Sequence, residues 1–143
     1  MSKKISWMVV AISLCAVLAG SSVYAQSSTV MKMDVPFNFR VGGQSLPAGE
    51  YTLVPKSPSI VVIRNKDGNQ SVVAMTNAVE ANHSPADGKL IFNRYGEFYF
   101  LSQIWTPGEA VGRALPKSKF EQEVAGSTAP AGKTILIAKK TNK

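Results

Sequence analysis

Cysteine and histidine are scarce in this sequence, which has one of each in 143 residues. A disulfide framework needs pairs of cysteines, and a zinc cluster needs several Cys or His ligands, so the composition excludes both. Charged residues are also few, at 17% against 45% hydrophobic residues. This balance excludes a disordered polyelectrolyte, because the apolar side chains offset the entropic cost of ordering the chain. The length fits one domain of ordinary size.

Long hydrophobic runs are missing too, since a membrane-spanning helix needs about 20 apolar residues and no run reaches that length. The longest run, residues 7–20, follows two lysines and precedes Val23-Tyr24-Ala25, which has small residues where a signal peptidase needs them. This order is typical of a secretory signal peptide, and a membrane anchor is the disfavoured alternative. We therefore predict a signal peptide over residues 1–25 and one exported domain, periplasmic or extracellular, over residues 26–143.

Positive charge is concentrated at the C-terminal end of the predicted domain. Residues 26–112 contain seven basic and seven acidic side chains, whereas residues 113–143 contain seven basic and two acidic ones. Lys139, Lys140 and Lys143 are candidates for contact with an anionic surface, although a charged chain end is more commonly just solvated. We expect neither a nucleic-acid partner nor a transmembrane span in the mature chain.

Most of the predicted domain has the pattern of short strands. Apolar residues occupy alternate positions from Met31 to Val41, a period of two that indicates a half-buried strand. Ser71 to Val79 is predicted as the return strand of a hairpin, and a turn centred on Tyr95-Gly96 is predicted to pair Phe92 with Tyr99. About seven such strands predict an all-β protein, an antiparallel β-sandwich, with a small β-barrel as the alternative.

One short helix is predicted near the C-terminus. Ser118 and Glu121 have the spacing of a capping box, and Phe120 and Val124 form an apolar stripe. The following segment, residues 127–134, is similar to a phosphate-binding P-loop. A P-loop follows a strand and opens a helix, whereas this segment precedes a strand and contains a proline, so we interpret it as a linker.

Side chains that could carry catalysis are few and scattered. His83 is the only imidazole, it lies in a polar loop, and no G-x-S-x-G motif accompanies it. Glu80 and His83 would hold a metal only if further carboxylates converged on them, and Glu121 and Glu123 face different directions on a helix. We expect a non-enzymatic protein without catalytic residues, metal or cofactor. A small ligand carrier, or a hydrolase with a site on the loops near His83, is the alternative.

Three aromatic residues are candidates for ligand contact: Tyr95, Tyr99 and Trp105. Aromatic rings exposed on a sandwich face can stack on sugar rings, and Trp105 ends a predicted strand where its ring can be half exposed. Packing in the core, with Trp105 beside Leu101 and Phe92, is the more common arrangement and the expected one.

Several motifs are similar to stretches of a group of small exported bacterial proteins with no assigned activity. They are Pro36 to Gly43 (PFNFRVGG), Leu46 to Tyr51 (LPAGEY), Thr76-Asn77-Ala78, Arg94-Tyr95-Gly96, Phe100 to Gln103 and Leu115 to Ser118. The resemblance implies export and a shared β-rich fold, and it assigns no catalytic or binding residue. We expect a secreted or periplasmic, non-catalytic binding or structural module of the cell envelope, whose partner is an anionic envelope polymer or another envelope protein.

Overall fold

A computed structural model describes residues 29–127 and 131–138 of the chain, and these residues form eleven strands and one helix. In chain order they are β1 (Met31–Val35), β2 (Phe39–Val41), β3 (Gln44–Leu46), β4 (Gly49–Ser57), β5 (Ile60–Asn65), β6 (Ser71–Met75), β7 (Asn77–Glu80), β8 (Lys89–Tyr95), β9 (Phe98–Trp105), β10 (Val111–Ala114), α1 (Lys119–Ser127) and β11 (Ala131–Ile137). Within the described ranges, no helix has the length and apolar character needed to cross a membrane. The predicted signal peptide over residues 1–25 and the C-terminal lysines Lys139, Lys140 and Lys143 lie outside these ranges.

The strands form two sheets that do not close into a barrel, which confirms the predicted β-sandwich. Sheet A has the order β1-β4-β5-β6, and sheet B has the order β11-β8-β9-β10-β7. All neighbours along these two orders are antiparallel. The β2–β3 hairpin joins sheet B through a parallel bridge between Arg40 and Phe100. The chain passes from the edge of sheet A to the edge of sheet B at Thr76, between β6 and β7.

The structure contains eleven strands where seven were predicted: two predicted strands are each broken in two where the chain changes sheets, and β3 and β10 were not predicted. The alternating segment from Met31 to Val41 divides after β1, where Pro36 has no backbone N–H to donate to a ladder. Its first half lies in sheet A and its second half in sheet B. The predicted strand from Ser71 to Val79 divides at Thr76. The Thr76 N–H still donates to the Ser59 carbonyl at 2.8 Å, in the register of the β5–β6 ladder, and the following residues pair with β10 of sheet B.

The predicted register between β8 and β9 is wrong, because the turn lies one residue further along the chain than predicted. The turn lies at Gly96-Glu97, and it pairs Tyr95 with Phe98 and Phe92 with Leu101. Gly96 has a φ of 61°, and a two-residue hairpin turn with glycine first uses this left-handed conformation. The position of the glycine in the turn therefore sets the register.

The main core lies between the two sheets. Alternate residues of β1, namely Met31, Met33 and Val35, are buried, as the period-two pattern predicts. Phe92 of sheet B is fully buried, and the ring of Phe39 meets it edge-on at 5.6 Å between centroids. Burying one such side chain contributes about 1.5–3 kcal/mol, so this layer supplies most of the driving force for folding.

A smaller apolar cluster lies on the outer face of sheet B, beneath α1. Tyr95 and Phe100 of the sheet pack there against Val124 and Phe120 of the helix. The Ser118 hydroxyl accepts a hydrogen bond from the Glu121 N–H at 3.1 Å, as the predicted helix cap requires.

The buried side chain of Glu121 does not complete the capping box but turns to the sheet. Its Oε1 accepts hydrogen bonds from Asn93 Nδ2 at 2.9 Å and from the Tyr95 hydroxyl at 3.2 Å. These two bonds compensate for part of the cost of burying the carboxyl group, and they hold α1 on sheet B.

Candidate functional site

The residues that sequence reasoning considered for catalysis remain apart. Glu80 ends β7, His83 lies in the loop that follows, and both side chains are exposed. Glu121 of α1 is buried against sheet B, whereas Glu123 of the same helix is exposed. In residues 29–127 and 131–138 there is no group of three or more His, Cys, Asp or Glu side chains that could hold a metal ion.

The three aromatic candidates do not share one surface. Tyr95 is buried beneath α1, whereas Tyr99 is half-buried and stacks on Phe37 at 3.9 Å against the main core. Trp105 is 5% exposed and belongs to neither cluster. A sugar-stacking role for these residues stays a prediction, and the structure does not assemble their rings into one exposed platform.

Trp105 lies across a glycine on the outer face of sheet B. A Cβ placed on Gly112 of β10 would come within 2.7 Å of the indole carbons, so the ring occupies the space that a side chain would need. Its Nε1 donates to Gln103 Oε1 at 3.0 Å, and Lys89 Nζ lies 5.4 Å from the ring centroid. The indole is therefore buried on the outer face, not beside Leu101 in the main core.

The site that the structure does build is a cleft of about 600 Å³ at one end of the sandwich. We call it the Arg113 cleft. Lys56, Ser57 and Pro58 of the β4–β5 segment line it from sheet A. Glu109 and Arg113, in β10 and the loop before it, line it from sheet B. The cleft thus lies where the two sheets meet.

Arg113 connects these two sides. Its Nη1 donates to the carbonyl oxygen of Ser57 at 2.8 Å and to that of Pro58 at 2.6 Å. These two bonds use both hydrogens of Nη1 and hold the half-buried side chain against the β4–β5 turn. Such anchoring reduces the conformational entropy that the side chain would lose on binding a ligand.

The remaining donors of Arg113 have no partner in the described part of the chain. Neither Nε nor Nη2 forms a hydrogen bond there, and no carboxylate oxygen lies within 4.0 Å of the guanidinium. Nε and Nη2 together present the planar fork that binds a carboxylate or phosphate through two parallel hydrogen bonds. The anchored guanidinium therefore has the chemistry of an anion site.

The rest of the cleft lining adds a second cation and an apolar wall. Lys56 is exposed beside Arg113, so two positive side chains line the cleft against the single carboxylate of Glu109. Val111, which is 49% exposed, and Pro58 supply apolar surface. This combination fits an anionic group attached to a carbon skeleton better than it fits a free inorganic ion.

No signal in the sequence marks this site. Arg113 is separated from Ser57 by 56 positions, and its own segment, Val111-Gly112-Arg113-Ala114, contains no motif. In the sequence, Arg113 is only one of the seven basic residues among positions 113–143. Neither a protein-family model, nor a curated protein, nor a solved structure matches the chain. The resemblance to small exported bacterial proteins stays an expectation.

Proposed function

We propose that the protein is an exported, non-catalytic binding module of the cell envelope, and that it binds an anionic group of an envelope polymer in the Arg113 cleft. The observation that carries this proposal is the anchored guanidinium of Arg113, with two carbonyl partners on Nη1 and none for Nε or Nη2 among the described residues. Arg113 lines the cleft, so a ligand bound there would lie within reach of these two donors.

The chemistry of binding follows from the lining. The fork of Arg113 would form two charge-assisted hydrogen bonds with a carboxylate or phosphate oxygen pair, and Lys56 would add a longer-range attraction. The exposed carbon atoms of Val111 and Pro58 would cover the adjoining skeleton of the polymer. Because Lys56 is solvent-exposed, its share of the affinity should weaken as salt is added.

Export is the other half of the proposal, and it is supported by the order of charged, apolar and small residues over positions 1–25. Intact-mass analysis of the exported protein should give a chain that begins at Gln26, with or without cyclisation of that residue. A mass that still includes residues 1–25 would favour a membrane anchor instead.

Binding is tested with two soluble polymers, polygalacturonate for carboxylate groups and inorganic polyphosphate for phosphate groups, by titration calorimetry at low salt. Replacing Arg113 by Gln should weaken binding of the preferred polymer about tenfold, the loss expected for charge-assisted hydrogen bonds. The Lys56→Gln variant should weaken it less, and this variant leaves both bonds to the β4–β5 turn in place. The preferred polymer identifies whether carboxylate or phosphate is the ligand group.

Arg94→Gln is the matched control, because Arg94 is exposed on β8 and does not line the cleft. If Arg94→Gln and Arg113→Gln weaken binding equally, the polymer responds to total charge and the cleft is not the site. Ending the chain after Ala138 tests the basic end separately, since it removes Lys139, Lys140 and Lys143. Loss of binding in that truncated chain alone would assign the contact to the basic end and contradict the cleft.

A further inference from the structure

The outer face of sheet B is covered by α1 over one part only. The helix packs on Tyr95 and Phe100, whereas Ile135 and Ile137 of the edge strand β11 are 55% and 65% exposed. Ile91 of β8 lies opposite Ile135 in the ladder, on the same face, and is half-buried. We call these three isoleucines the isoleucine patch. It is an apolar surface that the described helix and strands leave open to solvent.

Lysine side chains border the isoleucine patch on the same face. Lys133 precedes Ile135 by two positions in β11, so both side chains lie on the outer face of the sheet. Lys89 of β8 pairs with Ile137, and its Nζ lies 5.4 Å from the centroid of the Trp105 ring. The strands β8, β9 and β11 contain no acidic residue. The patch therefore has cations at its border and no carboxylate in its own strands or in the next strand of the sheet.

The two sheets differ in charge in the same sense. In the strands of sheet B and the β2–β3 hairpin, the acidic residue is Glu80 and the basic residues are Arg40, Lys89, Arg94, Arg113 and Lys133. In the strands of sheet A, the basic residues Lys32, Lys56 and Arg64 are nearly balanced by Asp34 and Glu50. The sequence after Glu123 contains no acidic residue, whereas Lys139, Lys140 and Lys143 follow β11 outside the described ranges. The positive charge of the molecule is thus concentrated on the side that carries the isoleucine patch.

We infer that the isoleucine patch binds the surface of an anionic lipid membrane. Ile135 and Ile137 insert between the headgroups, and Lys133 and Lys89 lie beside the lipid phosphates. An anionic membrane has negative charge at its surface and apolar chains directly beneath, and the patch complements both layers. With only two well-exposed isoleucines to insert, the contact needs the lysines as a second source of affinity, and it is reversible.

Apolar surface and positive charge together select a membrane over other occupants. A second copy of the chain would bring the lysines of two patches together, which opposes association. A soluble anionic polymer would attract the lysines but would leave the isoleucines in water. An acidic protein with an apolar centre is the remaining alternative, and vesicles free of other proteins separate it from a membrane. The inference is independent of the proposed polymer site, because the patch shares no residue with the Arg113 cleft.

Cosedimentation of the exported protein with lipid vesicles tests the inference. We expect binding to vesicles of phosphatidylglycerol and phosphatidylcholine in equal parts, and much weaker binding to vesicles of phosphatidylcholine alone. Added salt should weaken the binding, because it screens the attraction between lysines and headgroups. Absence of binding to the anionic vesicles at low salt overturns the inference and leaves an acidic protein as the partner. Equal binding to both kinds of vesicle overturns it as well.

Single substitutions test whether the patch makes the contact. Ile137→Ser should weaken vesicle binding about tenfold, because the inserted side chain loses its apolar area. Lys133→Gln should weaken it about fivefold, the effect of one lysine near an anionic surface. Val73→Ser is the matched control, because Val73 is also β-branched and 65% exposed but lies on the outer face of sheet A. Circular dichroism establishes that each variant is folded. Equal losses in Ile137→Ser and Val73→Ser contradict binding through the patch.

Variants of the Arg113 cleft separate this contact from the proposed polymer site. Arg113→Gln should bind anionic vesicles as the unmodified protein does, and Ile137→Ser should bind polygalacturonate or polyphosphate as the unmodified protein does. If Arg113→Gln loses vesicle binding and Ile137→Ser keeps it, the lipid phosphate enters the cleft and the patch is not the membrane site. If no polymer binds but Ile137→Ser alone loses vesicle binding, the proposed polymer site fails and the patch stands.

A fluorescent label tests which face meets the lipid. The only native cysteine is Cys15, which lies in the predicted signal peptide, so the exported protein should contain none. A label that responds to polarity, attached to Ile137→Cys, should shift its emission to shorter wavelength when anionic vesicles are added, because it enters the apolar layer. The same label on Val73→Cys should not shift. A shift at residue 73 and none at residue 137 would overturn the inference.

Discussion

The outer faces of the two sheets contain similar apolar residues but are covered differently. On sheet B, α1 covers Tyr95 and Phe100, which are 3% and 2% exposed. On sheet A, Val73 and Met75 are 65% and 74% exposed, and no helix in the described part of the chain lies over them. The comparison shows that an apolar residue on the outer face of a strand is not evidence of a core position. What decides its exposure is whether another element packs on that face.

The outer face of sheet B, which α1 covers, differs from the open outer face of sheet A. It offers the helix specific aromatic and polar contacts as well as apolar surface. Phe120 of α1 packs against Phe98 and Phe100, and the guanidinium of Arg40 lies 4.2 Å from its ring centroid. Polar contacts from Asn93 and Tyr95 to Glu121 then set the position of the helix. The cover is local, since Ile135 on the same face of sheet B remains 55% exposed.

The largest effect is expected on the covered face. Phe100→Ala should reduce the free energy of unfolding by about 3–5 kcal/mol, because it leaves a cavity between sheet B and α1. Urea denaturation followed by circular dichroism measures the change. Phe98→Ala is the control on the same face, where the side chain is 44% exposed and the loss should be smaller. Equal losses would mean that α1 does not cover Phe100 in solution.

An intermediate effect is expected at Trp105, whose ring is also buried on the outer face of sheet B. Gly112→Ala should cost about 1–3 kcal/mol, because the new methyl group displaces the Trp105 indole. The mature protein should contain a single tryptophan, so a shift of its fluorescence to longer wavelength reports the displacement. Gly132→Ala is the control, since a Cβ there meets nothing within 4 Å. An unchanged emission spectrum in Gly112→Ala would contradict the position of the indole over this glycine.

The smallest effect is expected on the open face of sheet A. Met75→Ala should change the free energy of unfolding by no more than about 0.5 kcal/mol when measured on dilute protein, because the side chain is 74% exposed. The same urea titration applies. A loss above 1 kcal/mol at low concentration would show that another part of the same chain covers Met75, and the contrast between the two faces would fail.

Local patterns predicted the elements more reliably than their partners. The alternation in β1 and the cap formed by Ser118 both have the expected geometry. The register of β8 and β9 was mispredicted, because favourable cross-strand pairs can be formed in more than one register and the left-handed glycine, Gly96, decides between them. The strand break at Thr76 was missed, because the sequence from Ser71 to Val79 contains no proline or glycine that would mark it.

The sequence by itself determined the class of fold and the location of its one described helix, since period-two alternation, turn residues and a helix cap all act over a few neighbouring positions. Only the tertiary structure decided which apolar faces are covered and which carbonyl groups the side chain of Arg113 contacts. Each of these depends on contacts between residues far apart in the chain, as between Arg113 and the carbonyl of Ser57. Such contacts arise from the packing of one sheet on the other, which a local sequence pattern does not specify.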